Sequence, residues 1–162
     1  MDASRLQSKA LSITYCDVRL DELAARIAAR FQTQTGLHRI IVDFPRDFPV
    51  ISGDDTRLAQ VLSNLVANAI KYSPKGGEVR ISGAVHPTQV VVCVMDQGSG
   101  IAAQDVPHIF DRFYRSNEAS RTTKGTGLGL YLARSVIEAH GGRIWVDPQP
   151  TSGARICFSL PR

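Results

Sequence analysis

The chain has 162 residues, 43% hydrophobic and 21% charged, with 19 Lys+Arg against 15 Asp+Glu for a formal charge of +4. That composition excludes the low-hydrophobicity signature of disorder and suits one domain with a substantial core, since domains commonly run to about 100–150 residues. The basic residues are scattered rather than gathered into a run, so the balance permits an anionic partner without requiring one.

Leu20, Leu23, Ile27 and Phe31 fall at helical spacing, with Gly36 as a stop after them. His38 to Phe44 is β-rich and ends at Pro45, and Val50–Ile51 reads as a very short strand. The acidic pair Asp54–Asp55 then opens a second helix that runs to about Tyr72 and is closed by the turn residues Ser73 to Gly77. Val79 to Val85 and Gln89 to Asp96 form a hairpin around His86-Pro87-Thr88, and Val90 to Met95 is apolar enough for a central strand. From Gly98 to Gly129 the chain is rich in glycine, charge and serine except at Ile109-Phe110 and Phe113-Tyr114, and so long a loop in a compact domain is usually functional. Leu130, Leu132, Ala133, Val136 and Ile137 pattern a third helix ended by His140-Gly141-Gly142, and Arg143 to Asp147 with Ala154 to Leu160 close the chain as a strand pair. The order is α/β without regular βαβ alternation.

Cys16, Cys93 and Cys157 lack metal-type spacing, and the latter two lie in apolar strands, which points to a reducing compartment. No segment approaches the roughly 20 apolar residues that span a bilayer, and Met1 to Ala10 are too polar for a secretory signal. The expectation is a soluble chain that contacts neither membrane nor nucleic acid.

Three features carry chemistry. The second helix sets Arg57, Gln60, Asn64, Asn68 and Lys71 on one face and Leu58, Leu62, Leu65 and Ala69 on the other. Paired asparagines are mediocre helix formers, so two of them mid-helix call for a reason beyond a wet surface. Asp96-Gln97-Gly98-Ser99-Gly100 follows the most apolar strand, either as a tight turn or as a carboxylate accepting from an exocyclic amine while glycines let a flat ring approach. Gly125-Thr126-Gly127-Leu128-Gly129-Leu130 opens the third helix, where backbone N–H groups and the positive helix end favour a phosphate, with Lys124 adding charge. Between Arg112 and Lys124 stand four cations against the single anion Glu118. The P-loop pattern is absent, and Gly98 to Ala103 meets the dinucleotide fingerprint only formally, because Pro107 interrupts the helix that it requires.

In order, Asn64-Leu-x-x-Asn68-Ala-x-Lys71-Tyr72-Ser-Pro, Asp96-x-Gly-x-Gly100-Ile, Phe110-Asp-Arg-Phe113-Tyr-Arg115 and Gly125-x-Gly-Leu-Gly129-Leu resemble the N, G1, F and G2 boxes of the catalytic ATP-binding domain of sensor histidine kinases. That domain belongs to the superfamily shared with gyrase, heat-shock-90-type chaperones and MutL-type repair ATPases, and the resemblance covers about Val18 to Pro161. It implies a Bergerat-type two-layer sandwich, a mixed β-sheet with about three helices on one face and a mobile ATP lid from Gln97 to Lys124. It implies that Asp96 meets the adenine amine beside Gly98 and Gly100, that Tyr72 and Ile101 flank the ring, and that Asn68, with Asn64 a weaker candidate, ligates Mg²⁺. Lys71 would reach phosphate, Arg112 and Arg115 phosphate or partner, Phe110 and Phe113 would tack the lid to the core, and Gly125, Thr126, Gly127, Leu128, Gly129 and Leu130 would close on the triphosphate.

Hydrolysing relatives carry Glu where Asn64 stands, and an amide cannot deprotonate water, so the resemblance implies a kinase acting on a histidine of another domain. None of His38, His86, His108 or His140 lies in a phosphoacceptor box. Residues 1–17 look like the tail of a dimerisation helix and its linker, and 18–162 like the catalytic domain of a fragment. The expected partners are ATP, the parent kinase's histidine-bearing dimerisation domain and, through the full protein, a response regulator. The expected setting is a cytoplasmic monomeric fragment of a parent that membranes could anchor. A serine-directed kinase of the anti-sigma type and a non-catalytic nucleotide-binding module are the alternatives. Ala154 stands where the family often has Thr, which suggests a missing hydroxyl near adenine, and Ser73 where Thr is common, with no consequence expected.

Overall fold

The structure, a computed structural model, describes residues 11–116, 125–148 and 152–162. Its elements run β1 (Cys16–Val18), α1 (Leu20–Gln32), β2 (His38–Asp43), β3 (Ile51–Gly53), α2 (Asp55–Lys71), β4 (Gly77–Val85), β5 (Gln89–Met95), α3 (Gly129–Ala139), β6 (Arg143–Val146) and β7 (Arg155–Pro161). The main sheet has five strands in the order β2-β4-β5-β7-β6, with β2 parallel to β4 and the other pairs antiparallel.

Alternation sets the layers. Val79 and Ile81 of β4, Val90, Val92 and Val94 of β5, and Ile156, Phe158 and Leu160 of β7 are buried and point to one face, as a period of two requires. Three helices cover that face among the described residues. In α1 the buried residues Leu20, Leu23, Ala24, Ile27 and Ala28 keep the i, i+3, i+4, i+7, i+8 spacing of an amphipathic helix. The apolar side of α2 is Leu58, Val61, Leu62, Leu65, Val66 and Ala69, which lies between α1 and α3 and frees its polar side for the site. Gly83 of β4 makes room for an edge-to-face Phe44–Phe48 pair with ring centroids 4.9 Å apart; a Cβ there would collide with both rings.

Asp54 starts α2 and ties three segments together. Its Oδ1 accepts from Arg57 N at 3.1 Å and its Oδ2 from Thr14 N at 2.9 Å. Its own N–H donates to Nε2 of buried His140 at 3.0 Å, while His140 Nδ1 donates to the Val136 carbonyl at 2.7 Å. His140 thus joins the end of α3 to the start of α2.

Two pairings lie outside the sequence reading. Cys16–Val18 pairs antiparallel with Ile51–Gly53, so residues 14–17, assigned to a linker, pack on the domain. A three-residue strand with one buried side chain has no periodicity to reveal it. Cys93 and Cys157, expected as reduced thiols, face each other in the β5–β7 register and are bonded as a disulfide. Their pairing spans 64 residues and follows from topology, which spacing does not report.

Asp54→Ala is expected to lower stability by about 1–2 kcal/mol in urea unfolding, the usual cost of losing an N-cap acceptor. The Thr14 N–H bond, with Arg57, holds the Asp54 carboxyl below its ordinary range. Its contribution is therefore present above the unfolded carboxylate pKa and fades as pH falls through the folded one, so the gap between wild type and variant should narrow in acid. A gap that stays constant into acid would deny the carboxylate this role.

Candidate functional site

The site forms where β5 leaves the sheet. Asp96 is 7% exposed, and its N–H donates to the Ala154 carbonyl at 2.9 Å, extending the β5–β7 ladder by one rung. Its Oδ1 accepts from Gly98 N at 2.8 Å and from Ala154 N at 3.3 Å, so among the described residues both accepted bonds fall on one oxygen. Burial pushes the carboxyl up from its ordinary range, and the Gly98 and Ala154 N–H groups with His38 draw it partly back.

Glycine is needed here for close backbone packing. A Cβ at Gly98 would strike the Tyr72 carbonyl, and one at Gly153, with φ of 102°, would strike the Asp96 carbonyl. The loop after β5 therefore lies directly on the end of α2 and on the turn before β7. Gly100, given with Gly98 as admitting a flat ring, has φ of 79° and lies against the Gly153 carbonyl. Ser73, whose hydroxyl the family's Thr would share, is buried: its Oγ donates to the Ala69 carbonyl at 2.6 Å, and His38 Nε2 lies 2.8 Å from its carbonyl. With Thr35 Oγ1 2.7 Å from the other ring nitrogen, His38 is a satisfied core histidine that anchors the end of α2.

The polar side of α2 faces the same end of the sheet. Asn64 Nδ2 donates to the Gly129 carbonyl at 3.1 Å, joining α2 to the start of α3. Asn68 is partly buried one turn on. Lys71 Nζ lies 5.3 Å from the Tyr72 ring centroid, and a Cβ at Gly125 would come within 2.6 Å of it. The glycine stretch from Gly125 to Gly129 therefore passes over the end of α2. Leu128 occupies the N-cap of α3 with no side-chain cap bond and no acid in the first turn, leaving that helix end open to an anion.

The segment between is held from both sides. Ile101, Ile109, Phe110 and Leu130 pack against the core. Phe113 N donates to the Gly127 carbonyl at 3.0 Å, and the Tyr114 hydroxyl donates to Asp105 at 2.6 Å. Gly127, with φ of 70°, abuts the Phe113–Tyr114 backbone, which leaves no space for a Cβ. Phe113 itself does not tack the segment to the core: it is 60% exposed, has φ of 62°, and lies under the Arg112 guanidinium at 4.9 Å. Phe110 alone of that pair reaches the core, since the left-handed backbone at Phe113 turns its ring outward. Thr126 is exposed and Arg115 partly buried. Lys124 lies outside the described residues.

The structure thus brings Asn64, Asn68, Lys71, Tyr72, Asp96, Gly98, Gly100, Ile101 and Gly125 to Leu130 to one end of the sheet. The sequence reading missed the Ala154 N–H, which no side-chain pattern signals. Among the described residues no group of His, Cys, Asp or Glu is arranged to hold a metal alone. An ion here would need phosphate oxygens for most of its shell, and the Asn68 amide fits that requirement as an oxygen donor.

The family model described as histidine kinase-, DNA gyrase B- and HSP90-like ATPase matches residues 53–162. The chain is 36% identical to the sensor histidine kinase WalK of Bacillus subtilis over 99% of its length, and 39% identical to the adaptive-response sensory kinase SasA of a Nostoc species over 86%. It spans 27% and 34% of those two proteins. Among solved structures it resembles full-length ShkA in complex with AMPPNP, with TM-score 0.84, 26% identity and 98% of this chain matched to 33% of that one. It also resembles the catalytic domain of the histidine kinase ThkA, with TM-score 0.80, 29% identity and 91% of this chain matched to 97% of that one.

Burial raises the Asp96 pKa, so the stability tied to this group is greatest below the ordinary carboxylate pKa and is lost as pH rises through the folded value. Asp96→Asn keeps the Oδ1 acceptor without the charge. Thermal unfolding should find the variant more stable than wild type near neutrality, with the two converging in acid; a variant less stable at neutral pH would contradict this.

Proposed function

This chain belongs to the family of histidine kinase-, DNA gyrase B- and HSP90-like ATPases, and from that premise we propose that it is the catalytic ATP-binding domain of a two-component sensor histidine kinase. In this reading it binds ATP with Mg²⁺ and donates the γ-phosphoryl group to a histidine on a separate helical dimerisation domain. Residues 18–162 are the catalytic domain, and residues 1–17 end the dimerisation helix and its linker, with 1–10 lying outside the described residues. The setting is the cytoplasm, and a response regulator is the downstream partner of the full protein. No helix among the described residues is long and apolar enough to cross a membrane.

The observation that carries this reading is the convergence on one site of a buried carboxylate, an amide-bearing helix face and an uncapped helix N-terminus. Asp96 accepts the adenine amine, and Tyr72 and Ile101 bound the ring. Asn68, with the Asn64 carbonyl oxygen as a second candidate, holds Mg²⁺. Lys71, Arg112, Arg115, Lys124 and the N–H groups from Gly125 to Leu130 receive the phosphates. The ion, when bound, neutralises charge on the transferring phosphoryl group.

A kinase is favoured over a hydrolase by the acid–base chemistry of α2. Its only carboxylate, Asp55, lies at its start and is paired with Arg26 at 3.0 Å, so the helix presents no base to a water at the site. The residues position and neutralise; the nucleophile comes from elsewhere.

Two results are expected. In calorimetric titration the chain binds ATP with Mg²⁺, Asp96→Ala abolishes binding, and Asn68→Ala chiefly removes the Mg²⁺ dependence of phosphotransfer; unchanged affinity in Asp96→Ala would put the adenine pocket elsewhere. With γ-labelled ATP, label passes to a histidine-bearing helical domain of the parent kinase, while the chain alone gains no stable label and releases little phosphate. Label accumulating on a serine of a partner would favour the serine-kinase alternative, and steady phosphate release a hydrolase.

A further inference from the structure

The strand alternation that buries Val92, Val94, Ile156 and Phe158 beneath the helices turns Cys93 and Cys157 to the opposite, helix-free face. There the two residues stand directly across from each other on the adjacent strands β5 and β7, with Cα atoms 4.1 Å apart. They are only 5% and 2% exposed, yet both line a cavity of about 530 Å³ on that face, together with Arg143, Trp145 and Arg155. Small reagents can reach them where proteins cannot. Arg143 stacks over Trp145 at 5.8 Å and Arg155 pairs with Asp147 at 3.2 Å, so the cavity wall carries two cations against one anion, a balance that suits an anionic disulfide.

The same two strands carry the site. Along the register Cys93 pairs with Cys157, Val94 with Ile156 and Met95 with Arg155, and the next rung is Asp96 with Ala154. A covalent link at the first of these rungs fixes the spacing of β5 and β7 close to the carboxylate. Without that link the ladder alone holds the two strands at this point.

We propose that Cys93 and Cys157 form a reversible dithiol–disulfide couple, exchanged with low-molecular-weight disulfides such as oxidised glutathione through this cavity, whose state sets the order of the Asp96–Ala154 rung. The Cys93 thiolate attacks one sulfur of the small disulfide and releases one thiol. The Cys157 thiolate then attacks Cys93 Sγ, releases the second thiol and closes the protein disulfide. Two electrons pass from the protein pair to the small disulfide, and the two cysteine protons end on the released thiols. The consequence for nucleotide affinity rests on the reading of the site given above: the bonded form binds ATP more tightly.

The test uses the chain in a Cys16→Ser background, equilibrated in glutathione buffers from reducing to oxidising, with three readouts. Alkylation in denaturant followed by intact mass counts thiols; hydrogen exchange follows the Asp96 and Ala154 amides; calorimetry measures Mg²⁺–ATP affinity. The expected result is two thiols in reducing buffer and none in oxidising buffer, faster amide exchange on reduction, and affinity at least about fivefold weaker, the lower edge of typical site-to-site coupling. The double variant Cys93→Ser/Cys157→Ser should show none of these dependences. Cysteines that stay as thiols in oxidising buffer, that stay bonded in reducing buffer, or whose state leaves amide exchange unchanged would overturn the proposal. Absence of ATP binding in both states would defeat the nucleotide reading instead, with the couple still decided by thiol count and exchange.

Discussion

One contact organises the candidate site: the chain leaving β5 rests backbone to backbone on the end of α2. Gly98 lies against the Tyr72 carbonyl and Gly153 against the Asp96 carbonyl, and neither position has room for a side chain. The carboxylate is therefore held where a sheet strand, a helix end and the turn before β7 meet, with no ion pair among the described residues. Two N–H groups on one oxygen keep it ordered while burial works against its charge. A buried carboxylate of this kind costs stability, and such a cost is common where a group must stay ionised to bind.

The second constraint is the division of labour on α2. Its apolar stripe fixes the helix between α1, α3 and the sheet, which leaves Asn64, Asn68 and Lys71 at defined heights along the site. Asn64 reaches Gly129 and so joins the glycine stretch to the helix that faces it. The open N-terminus of α3 and the amide face of α2 are thus tied to each other. Positioned groups and neutralised charge are what phosphoryl transfer chiefly requires, and the proposed function asks no more of these residues.

Most of the architecture was legible in the sequence because its signals are long and periodic. The α1 and α2 stripes, the apolar run of β5 and the glycine stop after α3 each predicted an element within a few residues of its observed bounds. What stayed hidden depends on tertiary pairing. β1 is too short to show a period, the Cys93–Cys157 contact requires the β5–β7 register, and Phe113 turns outward through a left-handed backbone that no side-chain pattern announces. For the site, the four ordered boxes are the source of the side chains proposed. The Ala154 N–H on Asp96 and the anchoring of Ser73 by His38 emerged only from the packing.

The central claim is that the Asp96 carboxylate recognises a base through its exocyclic amine. Titrating the chain with purine riboside triphosphate beside ATP, both with Mg²⁺, tests it most directly, because the two differ at the base only by the absence of that amine. The account predicts binding of ATP and loss of binding for purine riboside triphosphate, which has no exocyclic proton to donate to the carboxylate. Equal affinity for the two would contradict it.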